Sequence, residues 1–345
     1  MNAIPPFAHL CEPAASLEDG HGRTVRYIRL SVTDRCNLRC TYCRSGMETF
    51  IPHESVLRYE EMEQLVDMAM DMGVEKVRLT GGEPFARKGF ADFLERLRAA
   101  HPALDIRVTT NGTLIGPHIQ TLKAIGLTVV TLSLDSCDRD KFKQITGRDL
   151  FCKVRENMDA LLDAGIPFKL NAVAMRGVND GQMDDFVHAV RTMPVDLRFI
   201  EFMPMGSGTL WGPETFWSAA DIRAEAERRV RLDPVQDNSA EAGPAKMFAV
   251  QGGKGRMGFI TAVSCHFCGT CNRLRLTSDG NLRTCLFDDR EYHLRGLLRN
   301  PRFDDGHLAR VVRLACAGKP IGADLLKARK KGSAVADKQM VGIGG

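Results

Sequence analysis

The chain has 345 residues, 44% of them hydrophobic and 26% charged, the balance of a globular protein with room for one large domain and a smaller appended one. Its 47 basic and 43 acidic residues leave a formal net charge of +4, too mild an excess to indicate a nucleic-acid partner. No segment approaches the ~20 apolar residues of a membrane-spanning helix, and no basic-then-apolar leader opens the chain, so a cytoplasmic location is expected.

Residues 1–22 contain Pro5, Pro6, Pro13, Gly20 and Gly22 with little periodicity, and read as a loosely ordered arm. Apolar and β-branched runs then recur at Val25–Val32, Val77–Thr80, Ile106–Thr110, Val129–Leu134, Phe168–Ala174 and Leu197–Phe202. Helical spacing separates most of them, as in Glu60–Met72, Phe90–Ala100 and Val154–Ala164, with Gly73, Gly126 and Gly165 placed to end helices. Such alternation predicts an α/β fold of parallel strands with right-handed crossovers: an open sheet or an incomplete (β/α)6 TIM-like barrel, over residues 23–215. Either architecture carries function at the C-terminal ends of its strands.

After Phe202 the character changes. A turn-rich link precedes a charged helix near Ala219–Val230 and short strands near Met247–Gln251 and Gly258–Val263. Arg273–Thr277 and Asn281–Thr284 flank Ser278-Asp279-Gly280, a hairpin signal. These features predict a smaller C-terminal α+β domain over 216–330 and a tail over 331–345 ending Gly344-Gly345.

Eleven cysteines in a reducing compartment bind metal or do chemistry more often than they pair, and six of them fall in two tight groups. Cys36-x3-Cys40-x2-Cys43 directly follows the first predicted strand. Three thiolates can hold three corners of a four-iron cluster and leave the fourth iron open to a ligand. A closed zinc site would need a fourth ligand, for which His53 is the local candidate. The spacing, with Tyr42 before the last cysteine, resembles the radical S-adenosylmethionine superfamily. That resemblance implies a [4Fe–4S] cluster that binds S-adenosylmethionine and cleaves it to a 5′-deoxyadenosyl radical. Thr80-Gly81-Gly82-Glu83-Pro84, at the end of the second strand, fits the same pattern, since paired glycines admit a ligand against backbone and Glu83 can accept from its ammonium. The resemblance implies Tyr42, Gly82, Glu83, Ser133 and Met203 as contacts of the cofactor, with Thr109 and Asn111-Gly112 lining the cofactor or substrate pocket.

Cys268-x2-Cys271-x13-Cys285 forms the second group, with the hairpin between its last two members. Cys265 and His266 could instead complete a four-ligand zinc site. The run Phe267-Cys268-x2-Cys271-Asn272-Arg273-Leu274-Arg275, followed by Leu282 and Cys285-Leu286, is similar to the second-cluster motif of the GTP 3′,8-cyclase family. The similarity continues through Gly22-Arg23, Arg29–Cys36, Ile145–Arg148, Arg198–Met203 and Gly344-Gly345, and spans nearly the whole chain from about residue 20.

Membership of that family would imply a lyase with two [4Fe–4S] clusters, converting GTP to (8S)-3′,8-cyclo-7,8-dihydroguanosine 5′-triphosphate, the first step of molybdenum cofactor biosynthesis. It would imply a reductant of flavodoxin or ferredoxin type, and a product passed to cyclic pyranopterin monophosphate synthase. It leaves open whether the chain is a homodimer, and it implies neither nucleic acid nor membrane as partner. Arg29, Arg78, Thr109, Lys169, Arg198, Arg273, Leu274 and Arg275 match its GTP-binding positions, and guanidiniums suit phosphate oxygens. Beyond the cluster-bound cofactor it implies no catalytic side chain, only assistance from the Gly344-Gly345 tail in the active site.

No G-x-x-x-x-G-K-[ST] loop is present, and Gly253-x-Gly255-x-x-Gly258 runs into a strand rather than a helix, so neither nucleotide motif applies. Two other classes stay open on the residues alone: a different radical enzyme with an auxiliary cluster, such as a peptide-modifying maturase, and a zinc-stapled binding protein. Metal identity separates the last at once.

Overall fold

The computed structural model describes residues 16–43, 50–236, 243–329 and 334–344. Six parallel strands follow one another in the sheet: β1 (Tyr27–Ser31), β2 (Lys76–Thr80), β3 (Asp105–Thr110), β4 (Val129–Ser133), β5 (Phe168–Ala174) and β6 (Asp196–Glu201). The helices between them are α1 (Tyr59–Asp71), α2 (Phe90–Ala100), α3 (Ile119–Ile125), α4 (Arg139–Thr146), α5 (Phe151–Asp163) and α6 (Met183–Thr192). Then come α7 (Ala219–Glu227), β7 (Leu232–Pro234), β8 (Ala245–Val250), β9 (Arg256–Ile260), β10 (Arg273–Leu276), β11 (Asn281–Arg283) and β12 (Tyr292–His293). The chain closes with α8 (Leu294–Leu298), α9 (Asp305–Ala317), α10 (Gly322–Ala328) and α11 (Met340–Ile343).

Alternation along each strand sorts its side chains to two faces. Val77 and Leu79, Ile106 and Val108, and Val130 and Leu132 are fully buried in the main core, to which the apolar stripes of the helices contribute Met62, Leu65, Val66 and Ala69 of α1. The intervening positions are polar: Arg78 and Thr80, Arg107 and Thr109, Thr131 and Ser133. Those side chains converge because the sheet curls. In a flat sheet β2 and β6 would lie roughly 19 Å apart, yet Arg78 of β2 and Arg198 of β6 both reach the Thr131 hydroxyl of β4.

The six expected strands lie within two residues of those observed, and α3 and α4 end on the left-handed glycines Gly126 and Gly147. The C-terminal strands do not stand apart as their own sheet. β9 pairs in parallel with β6 and β10 with β1, so one twelve-stranded sheet runs β12-β11-β10-β1-β2-β3-β4-β5-β6-β9-β8-β7. The expected hairpin is β10–β11, turning at Gly280 with φ +79°.

The arm needs a correction. Residues 1–15 lie outside the described residues, but residues 16–22 are tied down: the Leu17 side chain is buried, its N–H donates to Met72 O at 3.1 Å, and Gly20 N–H donates to Ala317 O at 3.1 Å. Backbone pairing orders this stretch, which side-chain periodicity cannot report.

Candidate active site

The first cysteine loop leaves the end of β1 and is clamped to the glycine pair after β2. Gly82 N–H donates to Thr33 O at 2.7 Å and Glu83 N–H to Arg35 O at 2.8 Å. A Cβ on Gly82 would stand 2.3 Å from Arg35 O, so the approach requires glycine. Cys36, Cys40 and Cys43 then line one cavity together with Tyr42, Gly82, Thr109, Ser133 and Met203. Tyr42 Oη donates to Asp135 Oδ2 at 2.6 Å, and Asp135 Oδ1 accepts from Val173 N–H at 2.8 Å, which ties the loop to β4 and β5.

The donor set fits a cluster with a polar ligand. Burial, followed by the Asp135 carboxylate, pushes the Cys40 thiol well above its ordinary range, so a bound cation is needed to hold it as thiolate. Asn171 Oδ1 is buried beside the cavity with no hydrogen-bond partner among the described residues, a vacancy a polar group would fill. His53 lines a separate pocket with Arg58 and Arg87, away from the three thiols. Among the described residues no three His, Cys, Asp or Glu close into a single-ion site.

Glu83 is placed differently from the expectation that it greets the cofactor's ammonium. It is fully buried; Oε1 accepts from Phe85 N–H at 3.1 Å and Thr110 Oγ1 at 2.7 Å, and Oε2 from Asn111 N–H at 2.7 Å. It braces the floor of the cavity, with Thr110 and Asn111 rather than Glu83 on its wall.

A second cavity contains Cys268, Cys271 and Cys285 with His266, Arg273, Arg275 and Lys319, and Met203 borders both cavities. A Cβ on Gly322 would stand 2.8 Å from the Cys285 sulfur and 3.6 Å from that of Cys268. Lys319, only 2% exposed, points its ammonium at the Cys271 sulfur, 3.7 Å away, and donates to Arg273 O at 2.9 Å and to Thr284 O. A buried ammonium held by two carbonyls and a sulfur calls for negative charge on the thiols. Arg23 secures the loop from the other side: it pairs with Asp19 at 2.6 Å and donates to Cys268 O at 2.7 Å. Of the two residues that could complete a zinc site, His266 lines this cavity with its Nδ1 unpartnered among the described residues, whereas Cys265 is exposed and does not line it.

Between the cysteine groups the barrel interior is cationic. Arg78 donates from Nε to Tyr27 Oη at 2.7 Å and from Nη1 to Thr131 Oγ1 at 2.8 Å and Thr109 Oγ1 at 3.1 Å. Arg198 Nε and Arg273 Nε are buried without partners among the described residues. Burial and mutual repulsion lower Arg275 to about 9, and burial lowers Arg29 and Arg198 to about 10 despite some compensation from Tyr27. Two like charges 4 Å apart repel by about 4 kcal/mol at an effective dielectric constant of 20, so this assembly is built for an anion.

The tail enters the same space. Arg275 Nη1 and Arg29 Nε donate to Gly344 O at 2.9 and 3.4 Å, and a Cβ on Gly344 would meet Thr80 Cγ2 at 2.8 Å. Gly345 lies outside the described residues.

Two expected substrate residues stand apart. Lys169 already pairs with Asp196 at 3.1 Å, and the Leu274 side chain is fully buried in the core on the opposite face of β10 from Arg273 and Arg275. Tyr27, Thr131, Arg23 and Lys319 were missed as site residues. Tyr27 and Thr131 read as ordinary strand formers, and a lysine before a proline carries no local sign of burial.

Comparisons agree with this layout. Residues 30–190 match the Radical SAM superfamily and residues 195–325 match Molybdenum Cofactor Synthesis C. A protein of Syntrophomonas wolfei named GTP 3′,8-cyclase is 43% identical over 290 residues, 83% of this chain and 88% of its own. One of Desulforamulus reducens with the same name is 40% identical over 305 residues, covering 88% and 93%. Among solved structures, Streptococcus suis SuiB bound to S-adenosylmethionine superimposes with a TM-score of 0.60 at 16% identity over 93% of this chain and 78% of that one, a likeness of fold.

Proposed function

The chain belongs to the GTP 3′,8-cyclase family, and from that premise we propose how its residues divide the work of converting GTP to (8S)-3′,8-cyclo-7,8-dihydroguanosine 5′-triphosphate, the first step of molybdenum cofactor biosynthesis. A [4Fe–4S] cluster and S-adenosylmethionine belong to this enzyme class, and when bound they supply the 5′-deoxyadenosyl radical that starts the reaction. Cys36, Cys40 and Cys43 hold that cluster. Gly82 keeps backbone close to the cofactor, while Tyr42, Ser133 and Met203 line its pocket. Glu83 acts from beneath, holding Asn111 in place.

Cys268, Cys271 and Cys285 would hold a second [4Fe–4S] cluster, which would anchor the guanine. The Lys319 ammonium supports this assignment, because thiolates and cluster would be its counter-charge. Arg29, Arg78, Arg198, Arg273 and Arg275 bind the triphosphate, with Thr109 orienting Arg78. Lys169 contributes through its pair with Asp196, and Leu274 by backbone alone. Gly344, held by two of these arginines, narrows the site around the nucleotide and excludes water. A flavodoxin- or ferredoxin-like donor supplies electrons, and cyclic pyranopterin monophosphate synthase receives the product.

One observation carries the reading: two thiol-lined cavities share Met203, with Arg273 and Arg275 on the wall of the second. The test is iron and sulfide content together with product analysis after anaerobic incubation with GTP, S-adenosylmethionine and dithionite. About eight irons per chain, 5′-deoxyadenosine and cyclised GTP are expected, as two four-iron clusters require. Deoxyadenosine with unaltered GTP would move the substrate elsewhere, and about four irons would remove the second cluster.

A further inference from the structure

Tyr27 opens β1 level with Arg273 of β10, and Arg78, two residues further along β2 than its level partner Lys76, reaches back to it. Its hydroxyl lies 2.7 Å from Arg78 Nε, it is also hydrogen-bonded to Arg29, and the Arg273 guanidinium sits over its ring at 5.8 Å. Arg198 of β6 and Arg275 of β10 also feel its charge. The other charged groups on the strands around it are paired among themselves: Lys76 and Arg107 with Asp105, and Lys169 and Arg256 with Asp196. Cys271 lies beyond Arg273 at the start of β10.

Among the described residues the carboxylates on these strands, Asp105 and Asp196, are therefore committed elsewhere, and the phenol of Tyr27 is the acid hydrogen-bonded to Arg78 and Arg29. We propose that Tyr27 is a positioning residue of the cage: with no nucleotide bound, its phenolate is the counter-ion that keeps Arg78 and Arg29 drawn in, and triphosphate binding takes over that role and returns a proton from solvent to the phenol. The inference rests on the arginines being the triphosphate site. Burial alone would push the phenol up, but the charges of Arg78, Arg29 and Arg273 outweigh it and hold Tyr27 at about 7, so the oxygen shares its proton with solvent near neutrality. A tetravalent anion brought to the same guanidiniums cancels their pull, and the phenol regains its proton. GTP binding should then consume a proton.

Calorimetric titration of the cluster-loaded enzyme with GTP, in buffers of different ionisation enthalpy and across neutral to mildly alkaline pH, reads that proton. One linked proton weakens GTP binding about tenfold per pH unit above neutrality until the bound-state phenol itself titrates. Tyr27→Phe should bind GTP with no such slope and with less proton uptake; titration of the nucleotide's own phosphates is common to both proteins and cancels. Equal slopes and equal uptake in the two proteins would overturn the inference while leaving the triphosphate site intact. Absence of any binding heat in the parent enzyme would overturn that site and the inference with it. Should Tyr27→Phe fail to retain its clusters, the parent enzyme still decides: loss of tyrosinate difference absorbance in the near ultraviolet on adding GTP is expected, and an unchanged spectrum refutes the proposal.

Discussion

Arg275 of β10 donates at 2.9 Å to the backbone carbonyl of Gly344, a contact that joins the second-cysteine hairpin to the end of the chain inside the barrel. Arg29 of β1 converges on the same oxygen at 3.4 Å, so the tail bridges two adjacent strands.

Gly344→Ala would place a methyl 2.8 Å from Thr80 Cγ2 and force a side chain to adopt φ +69°. Strain of this kind costs about 1–3 kcal/mol, which the tail would relieve by leaving the site. Turnover of GTP should fall at least tenfold with iron content unchanged. Full turnover in Gly344→Ala would show that the tail is only packed there.

Arg78→Ala removes three hydrogen bonds, to Tyr27, Thr131 and Thr109. On the proposed assignment it also takes one guanidinium from the triphosphate. Charge-assisted bonds of this kind contribute about 1.5–3 kcal/mol, so GTP affinity should drop by roughly ten- to a hundredfold while both clusters persist. A calorimetric titration measures this, and an unaltered Kd would remove Arg78 from the binding set.

Lys319→Met keeps the side chain's length and deletes the charge beside Cys271. Electron addition at the proposed second cluster would become harder without that cation, so its reduction potential should fall while that of the first cluster holds. A redox titration followed by electron paramagnetic resonance distinguishes the two centres. Equal potentials in parent and variant would mean that the ammonium serves only the Arg273 and Thr284 carbonyls.

Glu83 is raised to about 7 because burial outweighs its bonds from Asn111, Thr110 and Phe85. Between the unfolded value of 4.5 and about 7 the native state retains a proton that the unfolded chain has released. Stability should therefore decline as pH rises through this window, by something on the order of 3 kcal/mol, and level off above it. Glu83→Gln cannot release that proton and should lack the slope. Unfolding of both proteins across the window measures it, and parallel curves would disprove the assignment.

Much of this was legible in the sequence, because strand alternation and cysteine spacing are local signals. The runs at Phe168–Ala174 and Phe90–Ala100 coincide with β5 and α2, and both cysteine triads gather as their spacing implied. Pairing of β10 with β1 was not legible, since nothing near Arg273 encodes its partner Tyr27, 246 residues earlier in the chain. The same long-range closure hides the role of Tyr27: Arg273 comes level with it only through the pairing of β10 with β1, and Arg198 of β6 comes near only when the sheet curls. Glu83 misled for the opposite reason, because its motif identifies a site but does not say which way its carboxylate turns.

The parallel pairing of β1 with β10, with Tyr27 level with Arg273, has a consequence for scale. Cys271 stands just before the start of β10 and Cys36 beyond the end of β1, so the two thiol groups flank opposite ends of one hydrogen-bonded strand pair. Five strand residues rise roughly 17 Å, and peptide geometry, not any side chain, sets that length. The barrel thus contains a fixed ruler. Side-chain replacements can retune the chemistry at either mark, but a single residue inserted between Tyr27 and Arg29 would lengthen the ruler and cost one of them its level partners, Arg273 for Tyr27 or Arg78 and Arg275 for Arg29.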